Sequence, residues 1–414
     1  MIWKNSFWNL LSVVVPLLIS LITMGWLARE LGTEKFGVFL IAFSVIGYAS
    51  VFDAGLTRAV IRFIAFNNRD YNADRVVMGT AIVTVFFLGL IGSFLLFLFS
   101  ESIVGYLNVE ESSYNDVVKS FDILSLIILP TLLSMVLFAL PEGRQDFFKL
   151  SIYKAVSGGV IAVAPLIAVL YEMSLASAMV GLLAGRVFSF LIALIPSFLV
   201  FRFGFLCFRM KTLKDLFNFG GWITLSNIIS PVMVNSDRLI LSNYLGASQV
   251  AFYAAPSEII GRMSVVPASI ARVLFPLFSS SNKESSEHSR NAYFGMILIL
   301  LTMIVPVFIL SGWVLTLWLG KSFSGDASLI LKILLVGFFF NALAQIPFAQ
   351  IQAYGKSRVT AVIHLIELIP YLIILFYLVK HYGLVGAAIA WSIRVISDYI
   401  ILAWCAARLS RIAC

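Results

Sequence analysis

The chain reads as an all-α integral membrane protein of about twelve transmembrane helices, built as two pseudo-symmetric six-helix lobes. Three observations lead there. First, 61% of its 414 residues are hydrophobic and only 12% are charged. A soluble domain carries about 25% charged residues, so this chain has too little polar surface to cover a globule of its size. Second, apolar runs of about 18 residues or more recur along the whole length, each long enough to cross a hydrocarbon core. Their backbone groups must be satisfied internally, which selects helices; the short alternating segments of a β-barrel are absent. Third, short motifs of the first half return in the second at a near-constant offset.

The spans follow in order, each bounded by charge, Gly or Pro. Span 1 covers 6–27. Lys4 precedes it as in a signal peptide, but the run from Phe7 to Leu27 is too long and lacks a small-residue cleavage site, so it reads as an uncleaved helix. Span 2, 36–55, follows the Leu31-Gly32 link and closes at Asp53-Ala54-Gly55. Spans 3 and 4, 76–99 and 119–140, are separated by the longest outer link, Glu101 to Val118. Spans 5 and 6 cover 153–171 and 176–200. The stretch Phe201 to Phe217 mixes basic and aromatic residues, a pattern suited to a helix lying in the cytoplasmic interface. It divides the chain into an N-terminal lobe (1–205), a linker (206–218) and a C-terminal lobe (219–414). Spans 7 and 8 cover 219–243 and 252–277. Pro256 and Pro267 flank Arg262 in span 8 and predict a bend there. Spans 9 to 12 cover 292–312, 327–349, 361–379 and 384–406.

Orientation follows from charge. Of the 29 Lys and Arg residues, 19 fall on the side holding both termini and 6 on the other, while Arg186, Arg238, Arg262 and Arg394 lie inside spans. Both termini are therefore expected in the cytoplasm. The same asymmetry accounts for the net charge of +8, so nucleic acid is not implied as a partner. Cys207, Cys405 and Cys414 have no disulfide or metal spacing, and His288, His364 and His381 none for a metal. No nucleotide-binding loop or nucleophile–base arrangement appears, and no extramembrane segment is long enough to fold alone. An enzyme, such as a membrane polysaccharide polymerase, is disfavoured on these grounds, and no cofactor or metal is expected.

The internal repeat is legible residue by residue. Leu31-Gly32 with Phe36-Gly37 and Phe39 returns as Leu245-Gly246 with Val250-Ala251 and Tyr253, an offset of 214 that also aligns Gly47 with Gly261 and Trp8 with Trp222. Gly143-Arg144 aligns with Gly355-Lys356 at 212, and Leu175 with Leu384 at 209. Six spans per half is an even number, so both halves start from the same side and the repeat is parallel.

Several of these residues carry a resemblance. Leu31-Gly32 with Phe36-Gly37, Asp53-Ala54-Gly55-Leu56, Asp237-Arg238, Leu245-Gly246, Arg272 with Phe275-Pro276, and Leu317-Trp318-Leu319-Gly320 occur in the order found in polysaccharide exporters. The chain resembles that branch of the superfamily that also holds the MATE drug exporters and the lipid II flippase, and within it the Wzx-type O-antigen flippases. The resemblance implies a V-shaped cavity between the lobes, working by alternating access in a bacterial inner membrane. It implies as cargo an undecaprenyl-diphosphate-linked oligosaccharide. Membrane lipids, H+ or Na+ as coupling ion, and a polysaccharide polymerase with its chain-length regulator are the implied partners. A MATE-like small-molecule or cation antiporter on the same fold is the alternative.

The site residues are the charges that membrane spans should otherwise avoid. An arginine at mid-span costs about 2.5–3.5 kcal/mol on insertion scales, so it usually faces a cavity or a partner. Arg58, Arg62, Arg262 and Arg272 are candidates for binding a diphosphate, because the planar guanidinium fork matches phosphate oxygens. Glu258 lies four residues before Arg262 and shares its face, so a plain intrahelical ion pair explains both equally well. Asp53, Asp237, Glu258 and Glu367 are candidates for ion coupling or charge pairing. The plainer readings are that Asp237 neutralises Arg238 and that Glu367 contacts His364. Arg186 and Arg394 occupy matching places in spans 6 and 12, and bracing of each lobe is favoured over a role in the cavity. Arg394 and Asp398, four apart, read as another intrahelical pair.

Overall fold

The computed structural model describes residues 2–66, 70–202, 207–280 and 285–413. Side chains at 2–11, 49–50, 199–202, 219–231, 272–273, 275–277, 279–280, 285–291, 357 and 410–413 lie outside the described residues as well. Among the described residues there is no strand; the chain is helical almost throughout. It divides into two compact units, Met1–Val232 and Met233–Cys414.

The first unit holds α1 (Ile2–Ala49), α2 (Leu56–Phe66), α3 (Tyr71–Leu98), α4 (Ser100–Tyr106), α5 (Tyr114–Gly143), α6 (Phe147–Tyr171) and α7 (Leu175–Arg202). α8 (Met210–Leu245) runs from it into the second unit. The second unit continues with α9 (Ala247–Met263), α10 (Val265–Ser280), α11 (Ser285–Ile309), α12 (Ser311–Leu319), α13 (Asp326–Ala353) and α14 (Ser357–Ala413).

The membrane character is plain in these elements. Among the described residues eight helical stretches are long and apolar enough to cross a bilayer. Two of them, Ser12–Asp53 and Arg358–Leu409, are 42 and 52 residues long and are each broken at a glycine, Gly32 and Gly383. Each break yields two crossings. With α8 and the α9–α10 pair, all twelve spans have a helical counterpart. Phe94, Ile309, Ile366 and Ile369 are 63% to 71% exposed on helices of this kind, where lipid rather than water is their natural solvent.

Packing inside each unit is tight where small residues permit it, as expected where van der Waals contact rather than hydrophobic burial joins helices. In the first unit, α5 is the central element: Phe121, Leu124, Leu132 and Val136 are completely buried against α3 and α7. α6 and α7 approach so closely that a Cβ on Gly181 would strike the Ala164 carbonyl. In the second unit, α13 has the central place, packed on α9, α10, α11 and α14.

The repeat survives at the level of backbone angles. Gly32 (φ 73°, ψ 173°) and Gly246 (φ 86°, ψ 157°) turn the chain with the same left-handed residue, 214 positions apart. Phe99 (φ −100°, ψ 6°) and Leu310 (φ −95°, ψ 12°) interrupt the third helix of each half in the same way. Each interruption is held by a serine one residue on: Ser100 donates to Asp122 at 2.8 Å, and Ser311 meets Ser328 at 2.8 Å. The α5 and α13 termini share one Schellman-type closure. Asp146 and Lys356 donate to Pro141 and Ile351, while Gln145 and Gly355 donate to Glu142 and Gln352. Geometry thus pairs Gln145 with Gly355, an offset of 210, where sequence alone paired Gly143 with Gly355 at 212.

Two local expectations are modified. The linker does not form a separate interfacial helix. Residues from Met210 onward are the opening turns of α8, since no proline interrupts the chain between Met210 and Ser230. Cys207 to Arg209 is instead pinned to α3: Arg209 N–H donates to Thr80 Oγ1 at 3.1 Å, and a Cβ on Gly79 would collide with the Cys207 backbone. In span 8, the helix breaks at Ser264, between α9 and α10. Pro267, three residues later, has no N–H to offer the Met263 carbonyl, so the predicted bend has its physical cause.

Candidate functional site

The charges of the second unit form one connected arrangement. Glu258 of α9 sits between two arginines. Its Oε1 accepts from Arg238 Nη2 of α8 at 3.0 Å, and its Oε2 accepts from Arg262 Nη1 at 3.1 Å. Arg262 also reaches the Glu258 carbonyl at 3.2 Å. The three side chains are 9%, 19% and 12% exposed, so the group is mostly withdrawn from solvent but not sealed. Arg238 and Glu258 are twenty residues apart and meet only because the Leu245-Gly246 turn folds α9 back against α8.

Asp237 and Arg238 are close enough for their charges to interact, as their spacing anticipated, while the Asp237 carboxylate also makes hydrogen bonds of its own. Its carboxylate accepts the Tyr253 hydroxyl at 2.5 Å and the Arg238 backbone N–H at 2.7 Å, all in buried surroundings. Adjacent helical residues point about 100° apart, so the two side chains meet α9 at different places, Arg238 at Glu258 and Asp237 at Tyr253. Arg394 of α14 donates to the Met233 carbonyl at 3.2 Å and lies over the Tyr371 ring at 5.2 Å. It ties α14 to α8 and leaves Asp398, the partner anticipated four residues along, to other neighbours. Glu258 is thus the acceptor shared by two arginines from different helices.

Asp398 turns toward the other arm of α14. His364 Nδ1 stands 3.8 Å from Glu367 Oε2 and 3.9 Å from Asp398 Oδ1. Glu367 is thus neighbour to a histidine, as its spacing anticipated, and also to a second carboxylate that spacing did not reveal.

The first unit places its candidates differently. Asp53 is buried and accepts from the Thr57 hydroxyl at 2.5 Å and the Thr57 N–H at 3.2 Å, so it closes the N-terminal turn of α2. Arg58 and Arg62 are exposed on α2, opposite the buried Leu56, Ala59, Val60 and Ile64. Arg62 lies 5.5 Å from the Phe66 ring centre. The Arg272 side chain lies outside the described residues; its backbone falls in α10, 214 positions after Arg58. Arg186 Nε is buried without a hydrogen-bond partner among the described residues.

Sequence reading missed an ion pair here. Arg144, which the sequence marks only as part of the repeat, donates from Nη2 and Nε to Asp74 Oδ2 at 2.6 and 2.9 Å, with Asp74 fully buried, and stacks on Tyr71 at 4.6 Å. No local signal joins residues seventy positions apart. Tyr253 was also missed, although the repeat offered a hint: its counterpart is Phe39, and the added hydroxyl is what Asp237 binds.

Similarity to known proteins accords with this picture. The family model for polysaccharide biosynthesis proteins matches residues 2–282. The chain belongs to that family. As a polysaccharide biosynthesis protein, it is 44% identical over 404 residues to the Shigella flexneri protein named "Putative O-antigen transporter", covering 97% of this chain and 96% of that one. It is 28% identical over 291 residues to the succinoglycan biosynthesis transport protein ExoT of Rhizobium meliloti (strain 1021), covering 69% and 56%. Among solved structures, an inward-facing MATE family multidrug transporter superposes with a TM-score of 0.83 at 15% identity, covering 98% of both chains. The lipid II flippase MurJ gives 0.79 at 14% identity, covering 97% and 87%. Identities this low establish a shared fold. All four relatives bear transporter or flippase names, and this family member is a multi-pass membrane transporter rather than an enzyme.

Proposed function

We propose that this polysaccharide biosynthesis protein is a flippase. It moves undecaprenyl-diphosphate-linked oligosaccharide repeat units from the cytoplasmic to the periplasmic leaflet of a bacterial inner membrane, for O-antigen or a related polysaccharide. The observation that carries this reading is the shared Glu258. The guanidiniums of Arg238 and Arg262, from two different helices, converge on its carboxylate within a mostly buried, apolar unit, and planar forks so placed match the oxygens of a diphosphate. The 44% identity to an O-antigen transporter supports the same cargo class.

In this reading the two lobes, 1–205 and 219–414 joined by 206–218, work by alternating access, with both termini in the cytoplasm. Arg58 and Arg62, exposed on the amphipathic α2, meet the diphosphate first, with Arg272 at the repeat-equivalent place. Arg262 and Arg238 hold it during the transition. Coupling to H+ or Na+, and contact with a polymerase and its chain-length regulator, complete the proposal. The test is deletion in a polysaccharide-producing host. Lipid-linked repeat units should accumulate on the cytoplasmic side and return to normal on complementation. Unchanged export in the deletion strain, with no second flippase present, refutes the assignment.

A further inference from the structure

The His364–Glu367–Asp398 group adjoins Arg394, one turn before Asp398, but makes no ion pair with Arg238 or Arg262. Among the described residues it is the one group of three His, Cys, Asp or Glu side chains whose ligand atoms all lie within 4.8 Å of one another. His364 and Glu367 are three residues apart on the first arm of α14 and share a face. Asp398 arrives from the second arm, beyond the Gly383 break.

Three features separate this group from an ordinary buried polar contact. Glu367 is only 9% exposed, and neither of its carboxylate oxygens has a hydrogen-bond partner among the described residues. Asp398 Oδ1 has none either, at 13% side-chain exposure. A buried carboxylate without a partner costs several kcal/mol on the order given for burying an ion, and here two stand side by side. The His364 nitrogen, at 3.8 and 3.9 Å, is too far to hydrogen-bond either one. Arg394, one turn before Asp398, is engaged by Met233 and Tyr371 and makes no ion pair with it.

The same separations suit a different occupant. Three atoms so spaced surround a point roughly 2–2.5 Å from each, the bond length of nitrogen and oxygen to divalent cations. We propose that His364, Glu367 and Asp398 form a binding site for a divalent transition cation of the Mn2+, Co2+ or Zn2+ type. Two carboxylates balance the charge of such an ion. The imidazole nitrogen favours it over Na+, K+ or Mg2+, which prefer all-oxygen surroundings. His364, at 36% side-chain exposure and flanked by the Phe348 ring at 6.1 Å, leaves one side open for water ligands and for passage of the ion. Bound there, the ion clamps together the two arms of α14, which also meet in the apolar cluster of Ile351, Ile363 and Leu402 against which Phe348 and Tyr399 pack. This site does not depend on the cargo of the transporter.

The test is direct metal binding to the purified full chain in detergent after treatment with a chelator. Titration with Co2+ should show one saturable equivalent with a visible absorption band, displaced by Zn2+. Glu367→Gln and Asp398→Asn should each weaken binding at least about tenfold, while His381→Ala, which alters a histidine outside the group, should leave it unchanged. Zn2+ should also raise the thermal midpoint of the unaltered chain but not that of Glu367→Gln. Binding that persists undiminished in Glu367→Gln overturns the proposal. So does absence of saturable binding, including the case in which infrared spectra show a protonated carboxyl that vanishes in Glu367→Gln, for then a proton is the only cation held.

Discussion

Removing Glu258 and removing Arg262 should have unequal consequences for stability. Glu258 is the shared acceptor. Replacing it with Gln removes the charge facing Arg238 at 3.0 Å and Arg262 at 3.1 Å together, leaving two guanidiniums close to one another in largely buried surroundings. Breaking a buried pair by removing one partner costs about 3–5 kcal/mol. The partial exposure of 9–19% for these side chains places the loss toward the lower end of that range. Replacing Arg262 with Met is different, because Glu258 keeps Arg238 and no carboxylate is orphaned. The change also relieves the roughly 2.5–3.5 kcal/mol insertion penalty of an in-span arginine. The stability of Arg262→Met should therefore lie within about 1 kcal/mol of the parent, while its export activity is lost with the guanidinium fork that meets the diphosphate. Arg262→Lys should restore part of that activity, because it keeps the charge without the planar fork. The assay is complementation of a flippase-deficient, O-antigen-producing strain, read as surface polysaccharide, alongside thermal unfolding of each purified variant. The reasoning fails if Arg262→Met exports normally, or if Glu258→Gln is as stable as Arg262→Met. Recovery of export in a Glu258→Gln, Arg262→Met double variant would reduce Arg262 to a structural partner of Glu258.

Other consequences can be checked separately. Asp74→Asn should destabilise the first unit by about 3–5 kcal/mol, because it leaves the buried Arg144 guanidinium without its anion; thermal unfolding and membrane yield report it, and an unchanged midpoint would refute the role given to the pair. Gln145 adopts φ 61° where its repeat counterpart Gly355 adopts φ 72°, so Gln145→Gly should stabilise the α5 terminus by up to about 1 kcal/mol; a lowered unfolding temperature would count against this. Cys207, half-buried beside α3, should resist an impermeant thiol reagent applied to intact spheroplasts and react once the membrane is opened, if the termini are cytoplasmic.

The sequence by itself determined the class of this protein, its spans and its duplication. Hydropathy is a property of consecutive residues, and a span's length is fixed by the bilayer. The repeat was legible because the features that define it are local: a left-handed glycine at Gly32 and Gly246, a serine after the break at Ser100 and Ser311, and a closing turn after α5 and α13. Contacts within one helix were equally accessible, as with Glu258 and Arg262, because four residues make about one turn. Only the tertiary structure decided which charge meets which across helices. Arg238 takes Glu258 twenty residues away, Arg394 takes the Met233 carbonyl, Arg144 takes Asp74, and Asp398 joins His364 rather than Arg394. Such partners depend on how far each helix is rotated and shifted along its neighbour. That register is set by where backbones approach closely, as at Gly181 against Ala164, and by turns such as Gly246 and Gly383. The residue pattern of a single helix states which face is polar, but it carries no record of what the adjoining helix places opposite that face.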